Sequence, residues 1–420
     1  MKRSKEIAGL AAGVAVALCS ACAASSPAPD PASAGTSGTV IGGGQQADPA
    51  KSPVLVGFHN LEGGSISLPD LRIGFEAGID YVNSQLGGIN GHPMKGVECK
   101  TDGTPESSLN CANEFVQSNV VLSVVGIDFG SDAMLSVLKS ASVIETGATP
   151  LTPGMDQAIG DAYFAGTSTK EGYAADVVNQ HNLGAKSLAV VMVDNAANHA
   201  TYTTIIAPAA QKLGMTSKVF YSPAQADWTT LSATVLATSP DAISLSVNTP
   251  DALAAVTALR ANGFAGQIDA FANSDIIPQL KGNLTKNVNF ESSIYQPTMV
   301  GVPAKAQADI DIFNAYMKKD GAAVKAVQQA QLGFFDAVQA ADKLRQIQAD
   351  PLTAKAVHDG IGTTKGSTMF STNGYDCSKP AWPGTTSCFT GQIFSTPTGK
   401  GMLAPLANQP IDSSVVRPSS

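Results

Sequence analysis

Residues Gly87–Asn113 read GGINGHPMKGVECKTDGTPESSLNCAN, and this stretch decides the fold. Gly87, Gly88, Asn90, Gly91 and Pro93 crowd turn formers into seven positions, so the preceding helix ends and the chain reverses there. Met94–Cys99 then reads as a strand. Thr104 supplies an N-cap hydroxyl ahead of Pro105 at the first helical position, which predicts a helix running through Phe115. A turn, a strand and a capped helix in this order are parts of a βαβ unit.

The same alternation continues on both sides. Upstream, Val54–Phe58 (VLVGF) is a short apolar strand. Pro69–Leu86 carries Ile73, Ala77, Ile79 and Val82 near a helical period. Downstream, Val120–Ile127 (VVLSVVGI) has the length and β-branching of a buried parallel strand. A helix at Asp132–Ala141 and a strand at Val143–Glu145 follow. A second series begins with the strand Leu188–Val193. It continues through a helix at Tyr202–Leu213 made irregular by Pro208, a strand at Val219–Tyr221 and a helix at Thr229–Ala237. The strand Ala242–Val247, the helix Pro250–Asn262 stopped by Gly263, and the strand Ile268–Ala272 complete it. Two separate series predict an α/β protein of two doubly wound, Rossmann-like lobes. Ligand contacts are then expected just after the strands, at their carboxyl ends.

Composition narrows the function. The chain has 420 residues, 44% of them hydrophobic, enough for two or three domains with cores of their own. The net charge is −8 and no long basic run occurs, which argues against a nucleic-acid partner because phosphate neutralisation needs clustered Lys and Arg. No phosphate-cradling loop, zinc-protease motif, nucleophile elbow or dinucleotide fingerprint is present, so neither an enzyme nor a cofactor is expected.

The N-terminus reads as a targeting segment. Lys2, Arg3 and Lys5 precede an apolar run, Ile7–Leu18, too short to span a bilayer and right for a signal peptide. Cys19-Ser20-Ala21-Cys22 resembles a bacterial lipoprotein signal with Cys22 acylated; an ordinary cleaved signal is the alternative. Residues 23–51, rich in Ala, Ser, Pro and Gly, read as a disordered tether. The protein is therefore expected on the outer face of the cytoplasmic membrane, held by lipid. Four cysteines remain: Cys99, Cys111, Cys377 and Cys388. Three connectivities are open, and export favours the two local pairs, Cys99 with Cys111 and Cys377 with Cys388. No CxxC spacing occurs and the five His are scattered, so no metal site is expected.

Asn83, Gly87, Gly88, Ile89, Gly91, Asp102, Pro105 and the pair Ala112-Asn113 give this chain its resemblance to the type I periplasmic solute-binding proteins of ABC importers, in the leucine/isoleucine/valine-binding branch. The resemblance extends from about Pro53 to Ile393. It implies two lobes joined by a three-crossing hinge, with crossings near Thr167, Tyr295 and Phe370. Lobe 1 would be 52–167 plus 297–370, lobe 2 168–296 plus 371–405, and 406–420 a C-terminal tail. It also implies first-lobe ligand contacts at Ser131, in the turn with Asp128, Phe129 and Gly130, and at Gly147-Ala148-Thr149. Second-lobe positions fall on Ser168, Asn198, Asn248 and either Ala272 or Asn273. None of these is acidic, whereas amino-acid binders grip the ligand ammonium with a carboxylate. Either Asp128, Asp194 or Asp275 takes that role, or the ligand lacks an ammonium.

Phe58, Phe129 and Trp228 are candidate apolar walls, with core packing as the alternative; His59 and His199 follow strands and could reach the cleft or stay in solvated loops. Trp382, in the Cys377–Cys388 loop, marks either a partner contact or a packed lid. The implied protein is the monomeric receptor of an ABC importer. It would bind a small molecule, a branched-chain amino acid or a related small acid or amide, and dock on permease subunits. A ligand sensor of the same fold is the alternative.

Overall fold

A computed structural model describes residues 44–64, 66–223, 226–271, 273–319, 328–398 and 401–418. The expected signal peptide, Cys22 and the tether up to residue 43 lie outside these residues, as does Ala272. Residues 44–51 do not hang free: the Ala47 and Asp48 amides donate to Asn83 O and Gly91 O at 2.7 and 2.9 Å.

β1 (Val54–Leu61), β2 (Met94–Thr101), β3 (Leu122–Val125) and β4 (Ile144–Gly147) form a parallel sheet in the order β2-β1-β3-β4. The deciding stretch folds as its residues dictate. Gly87, Gly88, Asn90 and Gly91 all take positive φ, and a Cβ on Gly88 would lie 2.1 Å from His92 O. Thr104 Oγ1 accepts from Ser107 N at the start of the Pro105–Gln117 helix. The Asp102 carboxylate accepts from the Thr104 and Ser107 hydroxyls, both at 2.6 Å, and these bonds hold its pKa down at about 2. Asp102 and Pro105 thus serve the helix start. A disulfide from Cys99 to Cys111 ties β2 to that helix.

Beyond Ala272 no element is assigned from the sequence. There the chain returns to this lobe with the helices Ala304–Lys319 and Gln328–Arg345. The second of these crosses the Pro69–Gln85 helix backbone to backbone. A Cβ on Gly74 or on Gly333 would sit 1.8 Å from Ala330 O or Leu71 O, so only glycine allows the approach.

The other lobe is built on β5 (Ser187–Val193), β6 (Thr216–Ser222), β7 (Ala242–Ser246), β8 (Gln267–Ala270) and β9 (Val288–Ser292). After a small hairpin of β10 (Lys365–Ser367) and β11 (Gly374–Asp376), β12 (Ile393–Pro397) and β13 (Leu403–Pro405) complete a seven-stranded sheet, β13-β12-β9-β8-β7-β5-β6. The last two strands add antiparallel to an otherwise parallel sheet.

Three passages of chain meet between the lobes. Thr167 Oγ1 lies 2.9 Å from Ser293 Oγ, 3.3 Å from Gly391 O and 2.8 Å from Gln392 Oε1. The third crossing is therefore near Gly391 and not at Phe370. Phe370 O does accept from Tyr295 N, but residues 374–389 then run back along the first lobe, where β11 pairs with β10 and Cys388 N donates to Phe164 O. The expected tail also packs. Gln392 and Ile411 exchange backbone hydrogen bonds, and Val416 is buried in the second lobe's core.

Candidate functional site

A cleft of about 370 Å³ opens between the lobes at the carboxyl ends of their strands. From the first lobe, Gly126 and Ile127 follow β3, and Ala148, Thr149 and Leu151 follow β4. Gln328, Gln329, Leu332 and Asp336 face it from the Gln328–Arg345 helix, at the three- and four-residue spacing of one helical face. From the second lobe come Thr169 and Gly172 in the first turn of the Thr169–Asn182 helix, with its cap Ser168. Phe271, Ser274 and Asp275 follow β8, and Glu291 and Ser292 end β9. Thr167, Ser293 and Gln392 floor the cleft at the hinge. Ser274 Oγ donates to Gln328 Oε1 at 3.3 Å, one hydrogen bond across the opening.

The charges on this wall have one sign. Asp275, Glu291 and Asp336 line it, and no Lys, Arg or His does so among the described residues. Asp336 is 2% exposed. Burial pushes its carboxyl well above the usual range against the pull of Lys343 and the Ala148 amide. Lys343 is itself fully buried, and desolvation lowers its pKa to about 7; its Nζ donates to Thr146 Oγ1 and Tyr163 O at 2.9 and 2.7 Å. Behind Glu291 stand Asp269 and Asp176. Burial, then the Asp176 and Glu291 charges, raise Asp269 well above its ordinary value, and Asp269 shares a hydrogen bond with Glu291. Burial raises Asp176 to about 6 against hydrogen bonds from Ser244 and Gln180. A wall of this kind favours a cation arriving in the cleft, because a positive group lets protonated acids ionise.

The residues expected from the sequence divide. Thr149 and Ser168 line the cleft, and Ser168 also caps its helix, accepting from Glu171 N at 3.2 Å. Gly147 is buried one residue behind the lining Ala148, where a Cβ would press on Val125 O at 2.6 Å. Ser131 is buried at the start of a short 3-10 turn and is not among the lining residues; Phe129, 58% exposed, is not either. Asn198 donates to Val193 O at 2.8 Å. Asn248 caps the Thr249–Ala261 helix and donates to Asp251, and Asn273 donates to Val247 O and Phe271 O. These three asparagines spend their amides on backbone and caps, and none lines the cleft.

Of the three acidic alternatives, Asp275 lines the cleft. Asp194 pairs with His199 at 2.8 Å on the surface, and that imidazole stacks on Tyr221. Asp128 is buried with His59, whose Nδ1 lies 3.0 Å from Asp128 Oδ2 and whose Nε2 lies 2.8 Å from Glu145 Oε1. Burial opposes charge on this imidazole, yet Glu145 and Asp128 raise its pKa to about 9. Phe58 stacks on Phe75 in the core, and Trp228 is buried with its indole N–H on Asp251.

Asp336, Glu291, Phe271 and Gln328 were not expected from the sequence. Glu291 left a trace, a charge inside the apolar strand VNFES. Asp336 left none, because its helix buries polar and apolar residues alike. Both expected disulfides form, with Cα–Cα distances of 5.6 and 4.5 Å. No described helix is long and apolar enough to cross a membrane.

Comparison with known proteins agrees with this architecture. Residues 62–383 match the family model described as periplasmic binding protein. A search of curated proteins finds no match. Among solved structures, an ABC-transporter substrate-binding protein from Aeropyrum pernix superposes with a TM-score of 0.70 at 13% identity, covering 88% of this chain and 100% of that one. The branched-chain amino acid transporter substrate-binding protein LivJ from Streptococcus pneumoniae, in complex with isoleucine, gives 0.62 at 17% identity over 86% and 100%. A substrate-binding protein from Desulfitobacterium hafniense in complex with Leu gives 0.66 at 14% over 84% and 100%. With two α/β lobes, three passages of chain between them, an interlobe cleft and a family match over most of its length, this chain is a binding protein and not an enzyme, and it belongs to the periplasmic binding protein family.

Proposed function

We propose that the chain is the extracytoplasmic receptor of an ABC importer and that its cleft captures a small solute bearing an ammonium, of the neutral amino-acid class. The observation that carries this reading is the acidic wall of Asp275, Glu291 and Asp336, with no cationic side chain among the lining residues. An amino acid would place its ammonium against Asp275 and Glu291. Its carboxylate would meet hydroxyls and backbone N–H groups around Thr149 and Ser168, the latter at a helix N-terminus. Ile127, Leu151, Phe271 and Leu332 supply apolar surface for a side chain. An acid without an ammonium would face three carboxyls and no counter-charge, a costly arrangement. Permease subunits as partners, and anchoring through an acylated Cys22, belong to the same reading.

The test is thermal shift of residues 44–420 against two compound sets, neutral amino acids and small carboxylates or amides lacking an ammonium. A ligand at one hundred times its Kd stabilises by about 2.7 kcal/mol. Shifts confined to the first set are expected, with affinity lowered at least tenfold in Glu291→Gln. Shifts confined to the second set would overturn the assignment.

A further inference from the structure

Trp382 departs from the bland fate of a loop tryptophan. The segment Cys377–Cys388 starts and ends on the first lobe. Its cystine packs with Tyr375, Phe389 and Tyr163 in a small apolar cluster. Cys377 N donates to Thr364 O at 2.9 Å, Asp376 N to Cys388 O at 2.8 Å, and Tyr375 Oη to Asp342 Oδ2 at 2.6 Å. The arm that leaves the cystine lies along the first crossing: Cys388 N donates to Phe164 O, and Ser387 Oγ to Gly166 O.

The tip belongs to the other lobe. Trp382 is 2% exposed and sits in the second lobe's apolar cluster, which includes Tyr173, Val177 and Val416. Two cations of that lobe hold the backbone on either side of it. Lys170 Nζ donates to Gly384 O and Arg417 Nη2 to Pro380 O, both at 3.2 Å. Inside the loop, Thr385 Oγ1 donates to Trp382 O and Ala381 N to Ser387 O, each at 2.8 Å. A partner-docking tryptophan would be exposed, and this one is not.

We propose that the Cys377–Cys388 loop is a strap across the hinge, with Trp382 as its pin, and that it limits how far the two lobes open. The three crossings can absorb rotation in their backbone dihedrals, since each is a single passage of chain outside the named helices and strands. The strap resists it differently. Its base is fixed on one lobe, its apolar end is buried in the other, and the disulfide removes the slack that an open loop of this length would provide. Opening beyond the reach of the loop must draw Trp382 out of its site. The strap thus sets the ligand-free starting state from which the cleft closes, and through it the population competent to bind.

Small-angle X-ray scattering on ligand-free protein tests this, and because no ligand enters, the result is independent of the proposed solute. Two variants cut the strap at different places: Trp382→Ala removes the pin, and Cys377→Ser with Cys388→Ser frees the base while sparing Cys99–Cys111. Each is expected to raise the radius of gyration by about 1 Å over the roughly 21 Å of a compact chain of this size. Faster hydrogen exchange at 166–168 and 391–392 should accompany it, with unchanged far-ultraviolet circular dichroism. If Trp382→Ala unfolds the second lobe, Lys170→Ala with Arg417→Ala, which leaves the core intact, releases the tip instead and carries the same expectation. A folded variant with an unchanged radius of gyration and unchanged exchange at the crossings overturns the proposal.

Discussion

The two lobes bury acids in opposite ways. In the first, His59 stands between Asp128 and Glu145, and Asp128 also accepts from Ser108 Oγ at 2.7 Å and Gly130 N at 3.0 Å. There the imidazole is held as a cation and Asp128 as its anion. In the second, Asp176 and Asp269 are fully buried beside Glu291, and the groups that act on Asp269 are other carboxyls. Burial and those neighbours hold Asp269 toward its neutral form. A carboxyl held by a cation is a structural element. A carboxyl held neutral at a cleft wall remains available to a cation from outside.

The pH dependences follow with opposite signs. The raised pKa of His59 contributes stability that is complete below about 6.5 and is lost as pH rises through about 9. Asp128, lowered despite its burial by its bonds to His59 and Ser108, contributes stability above its unfolded pKa that is lost in acid. The first lobe should therefore hold a plateau between these limits. The raised acids of the second lobe contribute most below about pH 4 and lose that contribution as pH rises through their folded pKa values. For Asp176 that value is about 6, and for Glu171, which burial raises beside Ser413 and Gly391 at the hinge, about 8.

The largest expected effect breaks the first cluster. His59→Ala removes the imidazole that stands between two buried carboxyls, and breaking such a buried pair costs about 3–5 kcal/mol. Urea unfolding at pH 7 measures it, and a loss under 1 kcal/mol would mean that His59 is not held there as a cation and that the contrast between the lobes is false. The second prediction has the reverse sign. Asp269→Asn removes a buried group that titrates beside two other carboxyls. It should stabilise the protein at pH 8 and leave it unchanged at pH 4. Across the range where Asp269 titrates, the gain should approach about 1.4 kcal/mol per pH unit. Destabilisation at both pH values would assign Asp269 a structural bond in place of a stored proton.

How far the sequence reaches is visible in the same residues. Strand and helix periods locate β1 to β8 because each is a short local pattern, and the positive φ of Gly87, Gly88, Asn90 and Gly91 and the Thr104 cap depend only on neighbours in the chain. The helices after Ala304 carry apolar and polar residues on buried faces alike, so no clean period marks them; Gln331, Asp336, Gln339 and Lys343 are all buried in one helix. The cleft is legible only where a residue follows a strand directly, as Thr149 does. Asn198, Asn248 and Asn273 hold the expected places, but caps and backbone take their amides, and alignment cannot see that use. The third crossing is misplaced for a related reason: the Cys377–Cys388 loop is inserted between Phe370 and Gly391 on the first lobe, and nothing local shows which lobe a disulfide loop lies on.

The smallest effect lies where the lobes meet. Lys170, in the second lobe, pairs with Asp156 of the first at 2.8 Å, with side chains 35% and 12% exposed. Burial raises the Asp156 pKa, against the pull of Lys170, so this acid belongs with the desolvated carboxyls although its partner is a cation. The lysine is half-buried and partly screened by solvent, which keeps the pair near the range of about 0.2–1 kcal/mol found for surface ion pairs. Lys170→Ala should therefore cost about 0.5 kcal/mol at low salt, less at high salt, and less still in acid, where Asp156 takes up a proton. A loss several times larger, insensitive to salt, would place the weight on the other contact of Lys170, the Gly384 carbonyl. The boundary between the lobes would then be held by the strap and not by charge.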